Sequence, residues 1–163
     1  MRDQALIEAK NQLNSSSVAV LSTHSQTLAG YPFGSTVQFV CNDDNNVYLF
    51  ISDIAQHAKN LAANSALSLT VFNQTSDDDP QTARLTLVGD ATKLPKIQSA
   101  PYLNAFVEKY PTAQEYMTLT DFNIWRISIV RIRFIAGFGK IFWLEKNEWY
   151  TQTQLAQFDS TAT

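Results

Sequence analysis

Side chains that can hold a phosphate are concentrated between Ser52 and Lys59. A β-rich run ends there and a helical pattern begins, so the free N–H donors of a helix N-terminus are expected beside them. Ser52, Gln56, His57 and Lys59 would add side-chain donors and one positive charge. The structural alternative is that Ser52 or Asp53 only caps the helix, while His57 and Lys59 face solvent.

A basic stretch lies in the last third of a chain whose net charge is −3. Arg126, Arg131, Arg133 and Lys140 have no acidic residue between them. Arg131 and Arg133 share one face of a strand by two-fold alternation, so they are placed to flank a bound anion. The alternative is a solvated face of a sheet.

Several classes of protein are excluded or disfavoured by absent motifs. The sequence has no GxSxG, GxxxxGK or GxGxxG pattern, and its one cysteine, Cys41, rules out an internal disulfide. Its only histidines are His24 and His57, and a Ser-His-Asp site built on His57 stays open because triad members need not be close in sequence. The acidic pI of about 5.2 argues against nucleic acid binding.

The pattern of the chain indicates one domain over residues 1–163, with 45% hydrophobic residues to build its core. No apolar run approaches the roughly 20 residues of a membrane span, and no secretory signal is recognisable, so we expect a cytoplasmic protein without membrane contact. A helix is predicted over residues 1–14, and residues 145–163 form a tail with helical character around Gln154 to Phe158. Further helices are predicted over 52–64 and 101–110, and strands over 18–23, 33–40, 47–51, 67–72, 83–91, 122–128, 130–136 and 141–144.

Strands in hairpin runs with few helices between them predict an antiparallel sheet, because parallel strands need a crossover connection between each pair. The fold class is therefore mainly β, in the α+β sense, with the sheet curled into a barrel and helices at its flanks. The Gly137–Gly139 segment is interpreted as a strand bend or bulge rather than a phosphate loop.

Three ordered segments resemble the pyridoxamine 5'-phosphate oxidase-like, FMN-binding split-barrel superfamily, and most closely its haem-utilisation branch. The segment from Phe50 to Leu61, FISDIAQHAKNL, is similar to that superfamily's "IS.LA.HT+NL" stretch. The segments 83–91 and 121–140 follow in the same order, and the last resembles "DF.L.RL.PERVR.VGGFG". Together the segments reach from the first strand to about Leu144.

The resemblance implies a six-stranded antiparallel split barrel that forms a homodimer, with FMN at the subunit interface and a flavin-dependent oxidoreductase activity on an unknown small molecule. By this resemblance Ser35, Thr36 and Val37 run along the isoalloxazine edge. By the same resemblance, the segment from Ser52 to Lys59 binds the phosphate group of FMN. Lys140, which ends the third segment, is also assigned to the cofactor.

Two other functions remain open at this level. One is a haem-binding or haem-utilisation protein of the same fold, in which His24 or His57 ligates the iron. Haem-degrading members of the branch use a histidine in a C-terminal extension, whereas this sequence has no histidine after His57. The other is a non-catalytic dimer whose pocket has decayed, since Ala58 and Ser65-Ala66 replace the Thr and Pro-Arg of the pattern.

Overall fold

The computed structural model describes residues 1–72, 83–137 and 139–161, with side chains up to Phe158. The acidic loop predicted over 77–80 and residue 138 of the predicted bend lie outside the described residues. The helices are α1 (Arg2–Ser15), α2 (Gln56–Ala63), α3 (Ala100–Lys109), α4 (Lys146–Trp149) and α5 (Gln152–Thr161). The strands are β1 (Ala19–His24), β2 (Pro32–Val37), β3 (Val40–Cys41), β4 (Val47–Ser52), β5 (Ala66–Phe72), β6 (Arg84–Lys93), β7 (Phe122–Gly137) and β8 (Lys140–Glu145).

The described strands form one antiparallel sheet in the order β2-β1-β5-β6-β7-β4-β3, and β8 pairs with the second half of β7. Although β2 and β3 lie at opposite ends of this order, only Gln38 and Phe39 connect them. Three Cα steps span at most ~11 Å, so the two edges of the sheet must approach each other. The predicted curled antiparallel sheet is confirmed, whereas the strand count of six is wrong, because this sheet has eight.

Two strand boundaries differ from the prediction. The strand predicted over 33–40 divides at Gln38, where the chain passes from one sheet edge to the other. The strands predicted over 122–128 and 130–136 are the single strand β7, because a bulge opposite Gly89 absorbs the irregularity without ending the ladder. A Cβ on Gly89 would lie 2.3 Å from the Ser128 carbonyl oxygen, so only glycine fits this close approach.

The predicted helices are all present with shifted ends. The helix predicted over 52–64 begins only at Gln56, and the tail carries the two helices α4 and α5. The predicted bend is also found, since Gly139 has a φ of +79° and the register between β7 and β8 shifts between Ile135 and Gly137. No helix in the described ranges combines the length and the apolar character that crossing a membrane requires.

The inner face of the sheet holds the main core. The alternate residues of β1, β5 and β6 point inward and are buried, and Leu21, Leu69 and Leu87 among them are at most 1% exposed. Helix α1 packs against this face through Ala5 and Ala9, whose small side chains allow the helix to approach the strands closely. Helix α2 joins the same core and contacts β1.

A second core lies on the outer face of β3, β4 and the first half of β7, where α3 packs. Its buried residues are Val40, Tyr48, Leu94, Phe106, Tyr110, Ala113 and Ile124. Lys109 fastens α3 to the joined sheet edges, because its Nζ donates to the Ser16 and Phe39 carbonyl oxygens at 2.7 and 2.9 Å. We call this region the covered face.

The outer face of β2, β1, β5, the first half of β6, the second half of β7 and β8 carries no helix among the described residues. Register aligns Trp143 of β8 with Arg133, Thr86, Thr70, Val20 and Thr36 on successive strands. Neighbouring rows place partly exposed apolar residues beside this one. We call this region the bare face, and its most exposed apolar residues are Phe72 at 50%, Val88 at 38%, Val130 at 49%, Ile141 at 52% and Trp143 at 41%.

Candidate functional site

The structure brings Ser35 and His57 into direct contact. Ser35 lies on β2, an edge strand of the sheet, and His57 lies in the first turn of α2. The Ser35 Oγ is 3.0 Å from the His57 Nδ1. Both side chains are half-buried, and burial lowers the pKa of His57 below its ordinary value near 6.5. The imidazole is therefore neutral at neutral pH, with one ring nitrogen already positioned.

Ser52 is engaged by a carboxylate. Its hydroxyl donates to the Asp121 Oδ2 at 2.6 Å, and its Oγ accepts from the Ile54 backbone N–H at 3.3 Å. The neighbouring Asp53 accepts from the Asn123 amide at 2.9 and 3.0 Å. Sequence reasoning placed Ser52 near an anion, but the partner that the structure shows is a protein carboxylate 69 positions away.

Gln56 also has a partner within the protein. Its Nε2 donates to the Asn60 Oδ1 at 2.9 Å, and that oxygen also accepts from the Gln26 backbone N–H at 3.0 Å. The Asn60 Nδ2 donates to the Thr23 Oγ1 at 3.0 Å. Asn60 is fully buried and fixes α2 on β1, a role that sequence reasoning missed although a buried polar residue inside the helical motif is its signal.

Lys59 is exposed in the first turn of α2 and makes no ion pair with any residue in the described ranges. Its backbone N–H donates to the Ala55 carbonyl oxygen at 3.2 Å, so the N–H groups of the three preceding residues have no acceptor within the helix. The capping alternative is wrong as stated, because the N-cap is Ala55 and has no side-chain cap.

Thr36 and Val37 do not share one environment. Val37 is buried on the inner face with Ser35, whereas Thr36 is exposed on the bare face. Strand alternation forces this separation, because successive side chains point to opposite sides of the sheet. The three residues therefore offer a ligand a common surface only through the backbone of β2, whose edge we call free because among the described strands β2 pairs with β1 alone.

Lys140 lies far from the α2 residues within one protomer. Ser52 pairs with Phe122 at the start of β7, whereas Lys140 pairs with Gly137 at its end. Fifteen strand steps correspond to about 50 Å along β7. Lys140 instead lines a small surface cavity beside α1, together with Met1 and with Gln4, Ala5 and Glu8 of that helix.

The four residues of the basic stretch are also separated along β7 and its neighbour β8. Arg131 and Arg133 flank Trp143 on the bare face, with guanidinium carbons 4.1 and 4.9 Å from a ring centroid of Trp143. Arg131 also forms an exposed ion pair with Glu145 at 2.9 Å. Arg126 faces the outer side of β7 near α3 and α5. The four cations therefore do not form one anion site in the described protomer.

Metal and thiol chemistry find little support in the described part of the chain. No group of three or more His, Cys, Asp or Glu side chains is placed there to hold a metal ion. Burial raises the pKa of the Cys41 thiol to about 11, which keeps it protonated and unreactive at neutral pH. His24 is exposed at the end of β1, so among the histidines only His57 is both partly buried and oriented.

The side chains around α2 are better arranged for metal binding through one imidazole than for binding a phosphate. The Ser52 hydroxyl and the Gln56 amide donate to internal acceptors, and the carboxylate of Asp121 lies within hydrogen-bond distance of Ser52. Lys59 and the helix N–H groups remain for an anion. By contrast, the His57 ring already has the oriented arrangement that a metal-binding imidazole requires.

Known proteins resemble this chain in sequence and fold. The non-canonical haem oxygenase HOZ, chloroplastic, of Arabidopsis thaliana is 35% identical over 135 residues, which are 83% of this chain and 41% of HOZ. The chain therefore spans less than half the length of this curated relative. The structure of a haem-binding protein from Mycobacterium smegmatis superposes with a TM-score of 0.79 at 26% identity, covering 89% of this chain and 59% of that one.

Another solved structure supports the fold alone. HutZ, the haem storage protein from Vibrio cholerae, has a TM-score of 0.65 at 23% identity, covering 74% of this chain and 87% of that one. The family model described as "CREG, beta-barrel" matches residues 2–151. The match extends over nearly the whole described sheet. The predicted resemblance is thus confirmed, and this chain belongs to the CREG beta-barrel family of the FMN-binding split-barrel superfamily.

Proposed function

We propose that this protein binds haem and acts in haem utilisation, as a homodimer whose ligand site lies along the free edge of β2. The observation that carries the proposal is the half-buried His57 imidazole, whose Nδ1 lies 3.0 Å from Ser35. This reading corresponds to the haem alternative of the sequence analysis, with His57 rather than His24 as the iron ligand. The haem-binding and haem oxygenase names of the relatives support the same class of ligand.

His57 is the residue that would hold the iron of a bound haem, and its protonation state suits that role. In the ligating tautomer, Nδ1–H donates to the Ser35 Oγ and the Nε2 lone pair is left for iron. Burial lowers the pKa of His57, so protons compete less with the metal for that lone pair. Bound haem supplies the iron for oxygen chemistry, while Ser35 orients the imidazole that holds it.

The free edge of β2 and the bare face make the second subunit part of the proposal. A ligand held by His57 would lie beside β2 and α2 of one protomer, and a second subunit would supply a further covering surface. The bare face continues from β2 across six strands and exposes Val88 and Trp143. An apolar sheet face of this extent is typical of a surface that meets another protein.

The proposal is tested by titrating the purified protein with haemin and recording the Soret band. We expect saturation at one haem per subunit, and at least about a tenfold loss of affinity in His57→Ala, because the iron loses its protein ligand. His24→Ala is the matched control and should titrate like the native protein. Equal titration of the native protein and His57→Ala would remove His57 from the site.

FMN is the second candidate, because Lys59 and the first-turn N–H groups of α2 remain as phosphate donors. A flavin-dependent oxidoreductase would then take its electrons from the bound ring. The native protein, Lys59→Ala and Lys96→Ala are titrated with FMN. The comparison distinguishes the general effect of removing a positive charge from the loss of a specific contact with Lys59. Loss of about tenfold in Lys59→Ala alone would favour FMN. A folded dimer that binds neither haem nor FMN would favour the alternative of a non-catalytic dimer whose pocket has decayed.

A further inference from the structure

A cavity whose lining includes no residue of β2 or α2 lies on the outer side of the sheet beneath α5. It has a volume of about 590 Å³ and lies between β6, β7 and the C-terminal helix. Its lining includes Asp44, Arg126, Ser128, Gln154 and Phe158. This volume is within the usual range of small-molecule sites, roughly 300–1,000 Å³.

Two opposite charges line the cavity without neutralising each other directly. The half-buried Arg126 donates from Nε to the Tyr48 hydroxyl at 3.2 Å, and that hydroxyl donates to the Asp44 Oδ2. The phenol of Tyr48 therefore separates the two groups, and they form no ion pair within 4.0 Å. Burial raises the pKa of Tyr48, so the phenol keeps its proton and this spacing persists.

The walls of the cavity are held in place by other contacts. The Tyr48 ring stacks on Tyr102 of α3 with centroids 4.0 Å apart. On the opposite side, the Gln154 Nε2 donates to the Asp43 carbonyl oxygen at 3.0 Å, and its Oε1 accepts from Asn45 at 2.9 Å. Helix α5 is thus fastened over the turn between β3 and β4, and the cavity is formed before any ligand arrives.

The charges select the class of ligand. A phosphate or simple carboxylate would be attracted by Arg126 but repelled by Asp44. A simple amine would be attracted by Asp44 but repelled by Arg126. A molecule with a carboxylate and an ammonium group satisfies both. The Asp44 oxygens accept one bond each from Tyr48 and the Asn46 backbone N–H, so each keeps acceptor capacity.

We propose that this cavity binds a small zwitterion of the amino acid or dipeptide class. Its carboxylate lies at the Arg126 guanidinium and its ammonium group at Asp44. Phe158, at the α5 wall, packs against Tyr150 with ring centroids 4.8 Å apart and offers an apolar surface to the side chain of the ligand. The site is separate from the haem proposal, because its lining includes no residue of β2 or α2.

The test uses the full chain and calorimetric titration with the protein amino acids and glycyl-L-phenylalanine. For any zwitterion that binds, its N-acetyl derivative and its amide are titrated next, because each lacks one of the two charges. We expect each derivative to bind at least about tenfold more weakly, since each loses a charge-assisted hydrogen bond. Equal binding of either derivative, or no binding of any zwitterion up to millimolar concentration, would overturn the proposal.

Two variants locate the binding in the molecule. Arg126→Gln removes the charge and should weaken the zwitterion at least about tenfold, whereas Lys96→Gln, outside the cavity, should have no effect. Because Arg126 also supports Tyr48, Ser128→Phe provides a second variant that fills the cavity and leaves the chain from Arg126 to Asp44 intact. Unchanged binding in Ser128→Phe, with a native circular dichroism spectrum, would place the ligand elsewhere.

Discussion

The outer face of the sheet has two halves that differ in how their apolar residues are used. On the covered face, α3 buries Tyr48, Phe106 and Ile124 to 2% exposure or less. On the bare face, Phe72 and Trp143 stay 50% and 41% exposed. The two halves belong to the same sheet and share strand β7, whose bulge opposite Gly89 lies between them.

Strand composition alone therefore does not decide which residues of this sheet are buried. Alternating apolar and β-branched residues occur on both halves, yet only the covered face is packed by a helix of the described chain. On the bare face, residues of the same kind are either exposed to water, which costs free energy, or covered by a second molecule. We expect a second copy of this chain there.

The largest difference is expected when a phenylalanine is replaced by alanine once on the covered face and once on the bare face. Phe106→Ala should lower the free energy of unfolding by about 3–5 kcal/mol, because it opens a cavity in the covered face. Phe72→Ala on the bare face should cost about 1 kcal/mol or less when the protein is dilute and monomeric. Denaturant unfolding measures both, and equal losses would mean that the two halves do not differ.

The next prediction concerns association through the bare face. Val88→Asp should weaken self-association at least about a hundredfold, since a charge would be buried without a partner. Val18→Asp changes a residue that is 57% exposed outside the bare face, and it should associate like the native protein. Sedimentation equilibrium measures the dimer constant. A native protein that stays monomeric would contradict the dimer itself.

A third prediction tests the bulge between the halves. Gly89→Ala should destabilise the protein by about 1–3 kcal/mol, because its Cβ would lie 2.3 Å from the Ser128 carbonyl oxygen. Gly34→Ala is the control, as a Cβ there meets nothing within 4 Å. Thermal unfolding should show a lower midpoint only for Gly89→Ala. A tolerated Gly89→Ala would mean that β6 and β7 can separate at the bulge.

The smallest expected effect is a pH dependence of stability at β2, where His57 contacts Ser35 on the side opposite the bare face. His57 has a lowered pKa in the folded protein, so below its ordinary pKa of about 6.5 the unfolded state binds more protons. Stability should be complete above that pH and should fall as the pH decreases toward the folded pKa. The slope should stay below the one-proton limit of about 1.4 kcal/mol per pH unit, and His57→Gln should remove it.

Much of the architecture was predictable because local patterns determine it. Alternation located β1, β5 and β6 to within a few residues, and Pro111 marked the end of α3. The division at Gln38 was not predictable, because it results from the joining of two distant sheet edges. The assigned ligand residues have a similar outcome: proximity in sequence grouped Ser52 with His57, but it did not predict that His57 contacts Ser35 or that Ser52 donates to Asp121.

The family, the antiparallel class of the sheet and the helix that carries His57 can be predicted from the residues alone. These properties follow from periodicity and short motifs, which act over a few residues. The pairing of polar groups such as Ser52 with Asp121, and the meeting of Arg126 and Asp44 through Tyr48, become visible only in the folded chain. These outcomes depend on strand register and on packing between distant segments, which no local pattern encodes.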